Sequence, residues 1–154
     1  MNELLEIEKI KRMKYKYFRA LDTNQWEIMS ECFTEDAVSS YDSGKYAFNG
    51  REKIINFLSD AMGHNNILTL HQGHHPEIEI IDQTHAKGIW YLQDIVISLE
   101  NNTTLRGAGF YTDQYIKDDG EWKHQSIGYD RTYEEIEQRS DNVRITNNMF
   151  TTNP

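Results

Sequence analysis

Apolar residues at Leu4, Ile7, Ile10, Met13, Tyr17 and Leu21 recur every three or four positions, which predicts a one-sided helix over about 3–21. The triplet "DTN" ends it, and Asn24 followed by Glu27 has the form of a capping box, predicting a second short helix that runs through Cys32. "DAVSSY" then has strand character, with "DSGK" as the turn after it. Gly50 opens a third helix, "REKIINFLSDAM", with Ile54, Phe57, Leu58 and Met62 on one face. Beyond it the apolar period shortens from 3.6 to 2. Strands are predicted at about 68–73, 77–81, 86–99, 105–117 and 121–133, separated by turn signals at "DQTH", "ENNTT" and "KDDGE". Helices followed by a long meander predict an α+β fold, with about three helices packed on one face of a curved antiparallel sheet and enclosing a pocket.

Composition narrows the class. The 154 residues amount to about one domain, and no repeat, low-complexity linker or cluster of prolines marks a boundary, so residues 1–154 are expected to form a single domain with a polar tail from about Asp141. One cysteine, Cys32, excludes an internal disulfide and fits a reducing compartment. The N-terminus has no apolar signal-peptide core, and the longest apolar runs are far too short to span a membrane. A cytoplasmic location without membrane partners is therefore expected. With 25 acidic against 16 basic residues, the net charge of -9 disfavours nucleic acid. The basic cluster "KIKRMKYKYFR" overlies helically spaced apolar residues and has the pattern of a solvated helix face. Aromatic residues make up 12% of the chain, enough to fill a core or to line a pocket for a flat apolar ligand.

Three of the six histidines fall within "LHQGHH". If this stretch is extended, His71, Gly73 and His75 share one face. On the following strand Ala86, Gly88, Trp90, Leu92 and Asp94 do the same, a mixture of small residues, one tryptophan and one carboxylate that suits a cavity wall better than a close-packed core. His71 and His75 would stand roughly 13 Å apart along a strand, too far to grip one ion, and no HExxH pattern is present. No metal site is expected. His74 and His75 fit structural or pocket-rim positions, whereas His71 is singled out, with Asp94 on the neighbouring strand as its natural partner. A His–Asp pair in an apolar cavity suits proton transfer near neutral pH. Tyr17 lies on the apolar stripe of the first helix and serves equally well as a core tyrosine; Asp22 suits a helix end or a site; Arg131 suits a buried ion pair or solvent.

The same residues carry a family likeness. The blocks "KYKYFRALD", "HQGHHPEI", "GIWYLQD", "GAGFYTDQY", "GEWKHQSIGYDRTYEE" and "RITNNM" resemble the SnoaL-like branch of the cone-shaped nuclear-transport-factor-2-like fold. Within that branch they are most similar to bile-acid 7α-dehydratases, with scytalone dehydratase a more distant cousin. The likeness runs from about Glu6 to Met149, and its weight lies in the joint order of the blocks rather than in any one. It implies five catalytic positions, Tyr17, Asp22, His71, Asp94 and Arg131, and further substrate contacts from Tyr41, Trp90, His75 and Tyr111. "ENNTTLRGAGF" is shorter than the corresponding family loop, so the substrate is where departures are expected.

What the resemblance implies is elimination of water from a hydroxylated substrate activated by a ketone through an enone. In that scheme His71, oriented by Asp94, removes a proton; Tyr17, with Tyr41, holds the developing oxyanion; and His71 or Asp22 protonates the leaving hydroxyl. Such an elimination is redox-neutral, so no cofactor is expected. The implied substrate is an apolar hydroxy-ketone, free or as a coenzyme A thioester, and the implied assembly is a homotrimer with the "RITNNM" tail across a neighbour. Ketosteroid isomerase-like chemistry, polyketide cyclisation and simple ligand binding are the alternatives on the same fold.

Overall fold

The computed structural model describes residues 1–151. Its elements are α1 (Glu3–Asp22), α2 (Trp26–Ser30), β1 (Phe33–Tyr41), β2 (Tyr46–Asn49), α3 (Arg51–Met62), β3 (Ile67–Ile80), β4 (His85–Ser98), β5 (Thr103–Asp118) and β6 (Glu121–Gln138). The six strands form one curved sheet in the order β2-β1-β6-β5-β4-β3. It is mixed rather than purely antiparallel: β1 runs parallel to β6, and every other pairing is antiparallel. This follows from α3, which carries the chain from the β2 edge to the β3 edge, so the later meander returns to β1 in the parallel sense. The fold is α+β as expected.

The apolar stripe of α1 is buried as its spacing predicts. Ile10, Tyr17, Ala20 and Leu21 are almost fully enclosed, and burial of a large side chain of this kind is worth about 1.5–3 kcal/mol. The side chain of Asn2 caps the helix start by accepting the Leu5 N–H, and Thr23 closes its end with a 2.6 Å bond from Oγ1 to the Arg19 carbonyl. Two features of this region differ from the sequence pattern. Asn24 is not a cap: it adopts φ +56° in the link between helices, and α2 stops at Ser30 because the chain turns into β1 there. Lys14 is not on the solvated basic face; it is fully buried, with its ammonium 2.6 Å from Asp113 on β5.

In the sheet, the two strands predicted over 68–81 are one strand, β3, whose pairing with β4 slips between His74 and Glu77. His75 takes φ +49° in this bulge, and Pro76 follows it, where no ladder N–H is needed. The short β2 was not evident from the apolar pattern, and β6 extends five residues further than expected, to Gln138. After β6 the described residues, up to 151, form turns and irregular backbone. Asn148 donates to the Asn65 carbonyl at 3.0 Å, so the polar tail folds back to the α3–β3 connection of its own chain. The last positions of that tail, 152–154, lie outside the described residues.

Candidate functional site

At the end of α1, Asp22 is where helix meets edge strand. Its carboxylate accepts three hydrogen bonds from β3: the backbone N–H of His71 at 2.8 Å, the Thr69 hydroxyl at 2.8 Å and His71 Nδ1 at 2.7 Å. A carboxylate can only accept, so Nδ1 carries the proton and the lone pair of a neutral His71 is left on Nε2. None of the described residues bonds to that atom, and His71 lines a cavity of about 280 Å³. The histidine is thus fixed in one tautomer at both its backbone and its ring.

Asp94 is the cross-strand neighbour of His71, as expected, but it is not its partner. Arg131 on β6 takes both its oxygens, Nη1 bonding Oδ1 and Nη2 bonding Oδ2 at 2.9 Å. The reach from β6 to β4 passes over β5 at Gly107, where a Cβ would lie 2.1 Å from Arg131 Nη1 and 3.0 Å from Asp94 Oδ1. The absence of a side chain there lets the arginine claim the aspartate. Burial opposes the charge of Arg131, but the ion pair with Asp94 outweighs it and holds the guanidinium firmly protonated. The expected His71–Asp94 pair is therefore replaced by two pairs, His71–Asp22 and Arg131–Asp94. Asp22 already accepts three hydrogen bonds.

The same cavity presents phenols. Tyr17 and Tyr41 place their hydroxyls 3.2 Å apart, and Tyr111 and Tyr129 complete the aromatic wall. Burial pushes Tyr17, Tyr41 and Tyr111 well above the usual phenol range, and Tyr129 up to about 12, so all four remain protonated donors at neutral pH. Leu21, Leu58, Met62, Leu92, Val96 and Leu105 supply apolar surface between them. Asp42, Lys45 and Glu134 add charge to the lining.

Seven of the nine residues singled out from sequence meet at this cavity: Tyr17, Tyr41, His71, Asp94, Tyr111 and Arg131 line it, and Asp22 supports His71. Trp90 and His75 do not. Trp90 is wholly buried outside the cavity lining, where it donates to the Tyr115 hydroxyl at 2.8 Å. The small residues beside it are filled rather than hollow, since a Cβ at Gly73 would meet Phe18 at 2.5 Å and one at Gly88 would meet Tyr115 at 3.1 Å. His75 is turned by the β3 bulge toward Tyr91 on the outer face, with ring centroids 6.4 Å apart. A slip of register reverses side-chain direction, which alternation alone could not reveal. Gly107 and Tyr129 were missed. The signal available for Gly107 is a glycine in the interior of a strand, which marks a close approach by other atoms.

A larger groove of about 830 Å³ lies between the middle of α1, α2 and the β5–β6 turn. Its lysines Lys9, Lys16 and Lys123 are tied to Glu6, Glu31 and Asp118, and it assembles no acid–base set. Among the described residues there is no cluster of three or more His, Cys, Asp or Glu side chains placed to hold a metal ion, and no helix long and apolar enough to cross a membrane.

The family model for the SnoaL-like domain matches residues 2–127. Among solved structures, a candidate scytalone dehydratase from Novosphingobium aromaticivorans DSM 12444 is similar over 96% of this chain and 95% of its own, with a TM-score of 0.79 and 25% identity. The hexachlorocyclohexane dehydrochlorinase LinA-type3 from Novosphingobium barchaimii LL02 shares the fold at a TM-score of 0.79 and 17% identity, over 94% of this chain and 97% of its own. ActVI-ORFA from Streptomyces coelicolor shares it at a TM-score of 0.69 and 16% identity, over 82% and 96%.

Proposed function

Since the chain belongs to the SnoaL-like domain family, we propose that its cavity eliminates water from a hydroxylated cyclic ketone, with steroids of the 7α-hydroxy-3-oxo-4-ene type as the substrate class. One observation carries this reading: the Asp22–His71 dyad and the Tyr17–Tyr41 hydroxyl pair belong to the same cavity, a base and an oxyanion donor set around one apolar space.

His71 Nε2 takes a proton from the carbon that the enone acidifies. The C–H electron pair enters the conjugated system, and the oxygen that becomes negative is met by hydrogen bonds from the Tyr17 and Tyr41 hydroxyls. When the dienolate collapses, the C–O bond at the hydroxyl carbon breaks and the leaving oxygen takes the proton back from His71. The product is a dienone and one water, and His71 is neutral again. Asp22 holds the imidazolium while it exists, as a carboxylate does in other histidine dyads. Fixed donors aimed at developing charge supply about 3–4 kcal/mol each in comparable sites.

The similarity to a candidate scytalone dehydratase supports water as the leaving group. Loss of chloride, the chemistry named for the LinA neighbour, needs a base but no oxyanion donor, and would leave the tyrosine pair without a task. The test is an ultraviolet time course with a 7α-hydroxy-3-oxo-4-ene steroid, as free acid and as coenzyme A thioester. A longer-wavelength dienone band that grows with the wild type and not with His71→Ala is the expected result. A flat trace from cooperatively folded wild type with both forms overturns the steroid assignment.

A further inference from the structure

Behind the tyrosine wall lies a second polar cluster that the elimination does not use. Lys14, Asp113 and His124 have no solvent-accessible surface. The Lys14 ammonium lies 2.6 Å from Asp113 Oδ2, and the Tyr115 hydroxyl donates to the same oxygen at 2.9 Å while accepting the Trp90 N–H. His124 is occupied at Nδ1 by the Cys32 carbonyl, 3.2 Å away, and sets its Nε2 3.3 Å from Asp113. The cluster faces the cavity through aromatic rings: the ammonium is 3.8 Å from the centroid of Tyr111 and 5.0 Å from that of Tyr17, and the His124 ring meets Tyr17 edge to face at 5.4 Å.

As a device for stability this arrangement is a poor choice, because well-packed apolar replacements of a buried ion pair are often neutral or stabilising. Its placement gives it another use. Lys14 stands one helical turn before Tyr17, and Asp113 two residues after Tyr111 on the same face of β5. The bond between them pins the helix that carries one cavity tyrosine to the strand that carries the other. A cation against a phenol ring also draws electron density from it, which strengthens the hydroxyl as a hydrogen-bond donor.

We propose that Lys14, clamped by Asp113, is a positioning residue that fixes the Tyr17 and Tyr111 rings and strengthens the hydroxyl donation by which the cavity binds an oxyanion. The role rests on the oxyanion-binding part of the function proposed above, and not on water being the leaving group. Lys14 itself touches no substrate.

The experiment replaces Lys14→Met and Asp113→Leu together, which removes both charges and leaves neither unpaired. Two quantities are read in folded protein: kcat and KM for the hydroxy-ketone, and the fraction of bound 2-naphthol present as naphtholate, which emits at a wavelength distinct from the neutral form. A roughly tenfold or greater fall in kcat, with KM within about threefold and a matching loss of bound naphtholate, is the expected result. In a Tyr17→Phe background the double replacement should cost less than in wild type, because part of its effect passes through that hydroxyl. Unchanged kcat and naphtholate, or losses that simply add to those of Tyr17→Phe, overturn the proposal. If the double variant melts below the assay temperature, Lys14→Gln, which keeps a donor to Asp113 without the charge, is read in the same way. Wild type that turns over no hydroxy-ketone yet shows the naphtholate coupling keeps the positioning role and sinks the dehydration reading. Wild type that binds no naphtholate overturns the positioning role.

Discussion

Replacing Asp22 by Asn tests the base assignment, because the two oxygens of Asp22 have different work. Oδ2 accepts only the His71 backbone N–H; Oδ1 accepts His71 Nδ1 and the Thr69 hydroxyl. Asparagine has one carbonyl oxygen and one NH2 group, so it can serve only one of these positions as an acceptor. If the NH2 takes the Oδ1 place it donates to Nδ1, which forces the proton onto Nε2 and abolishes the base. If it takes the Oδ2 place it confronts a backbone N–H, and a buried donor left without its acceptor costs about 1–3 kcal/mol. At roughly 2–4 °C per kcal/mol for a protein of this size, the second choice shows as a lowered Tm. The first shows as a fall in kcat of roughly 10²- to 10⁴-fold, the span of general acid–base catalysis. Dienone formation measures the rate, and nitrogen NMR shifts of His71 report the tautomer without any substrate. Asp22→Asn protein with kcat within about threefold of wild type, Tm unchanged and Nδ1 still protonated would refute the dyad. Asp94→Asn is the contrast, since it disturbs Arg131 and leaves the His71 tautomer alone.

Tyr17→Phe removes a hydroxyl 3.2 Å from Tyr41 and should lower kcat by about 10²- to 10³-fold with KM little changed, as steady-state kinetics on the steroid would show. Gly107→Ala would put a Cβ 2.1 Å from Arg131 Nη1, so the arginine must leave Asp94; the urea midpoint should drop, and catalysis with it, whereas an unaltered midpoint would mean that Arg131 has room to spare. Acid stability offers a test away from the cavity. Hydrogen bonds from Lys117, Lys9 and Trp122 hold Glu6 down to about 2 from an ordinary value near 4.5. A depressed carboxyl contributes stability that is complete above its unfolded value and lost as pH falls through its folded one. Thermal melts between pH 4.5 and 2 should therefore fall more steeply for wild type than for Glu6→Gln.

The sequence disclosed the periodic parts of this molecule and hid its crossings. The stripe from Ile10 to Leu21 and the alternation from Ala86 to Asp94 could be read because each burial face repeats along one element. The identity of the cavity residues was legible in the same way, since Tyr17, His71, Asp94 and Tyr111 each break an inward face with a polar atom. Their pairing was not. That His71 turns to Asp22 depends on where α1 ends against β3, and that Asp94 turns to Arg131 two strands away depends on an empty position at Gly107 on the strand between them. Lys14 reads as a solvated residue because its basic neighbours are solvated. It nevertheless lies four residues after Ile10 and three before Tyr17, the spacing of the buried stripe, and Asp113 shares the inward face of Tyr111 and Tyr115. A charge on each of two buried faces was the signal for that pair.

The position of Asp22 explains why the dyad forms with a helix residue rather than with the cross-strand aspartate. β3 is an edge strand, so alternate N–H groups along it have no neighbouring strand to accept them. The His71 N–H is one of these, and a carboxylate at the end of α1 closes that gap and reaches the ring in the same step. A carboxylate in the last turn of a helix is unfavourable by about 0.3–1 kcal/mol against the helix dipole. Three donors offset that cost, and one of them, the His71 backbone N–H, points out of the sheet edge, away from β4 and Asp94. The edge therefore supplies His71 with an anchor for its backbone, an acceptor for one ring nitrogen, and open cavity for the other. Asp94 is left to neutralise Arg131, which keeps a guanidinium in the cavity wall without an unpaired charge beside His71.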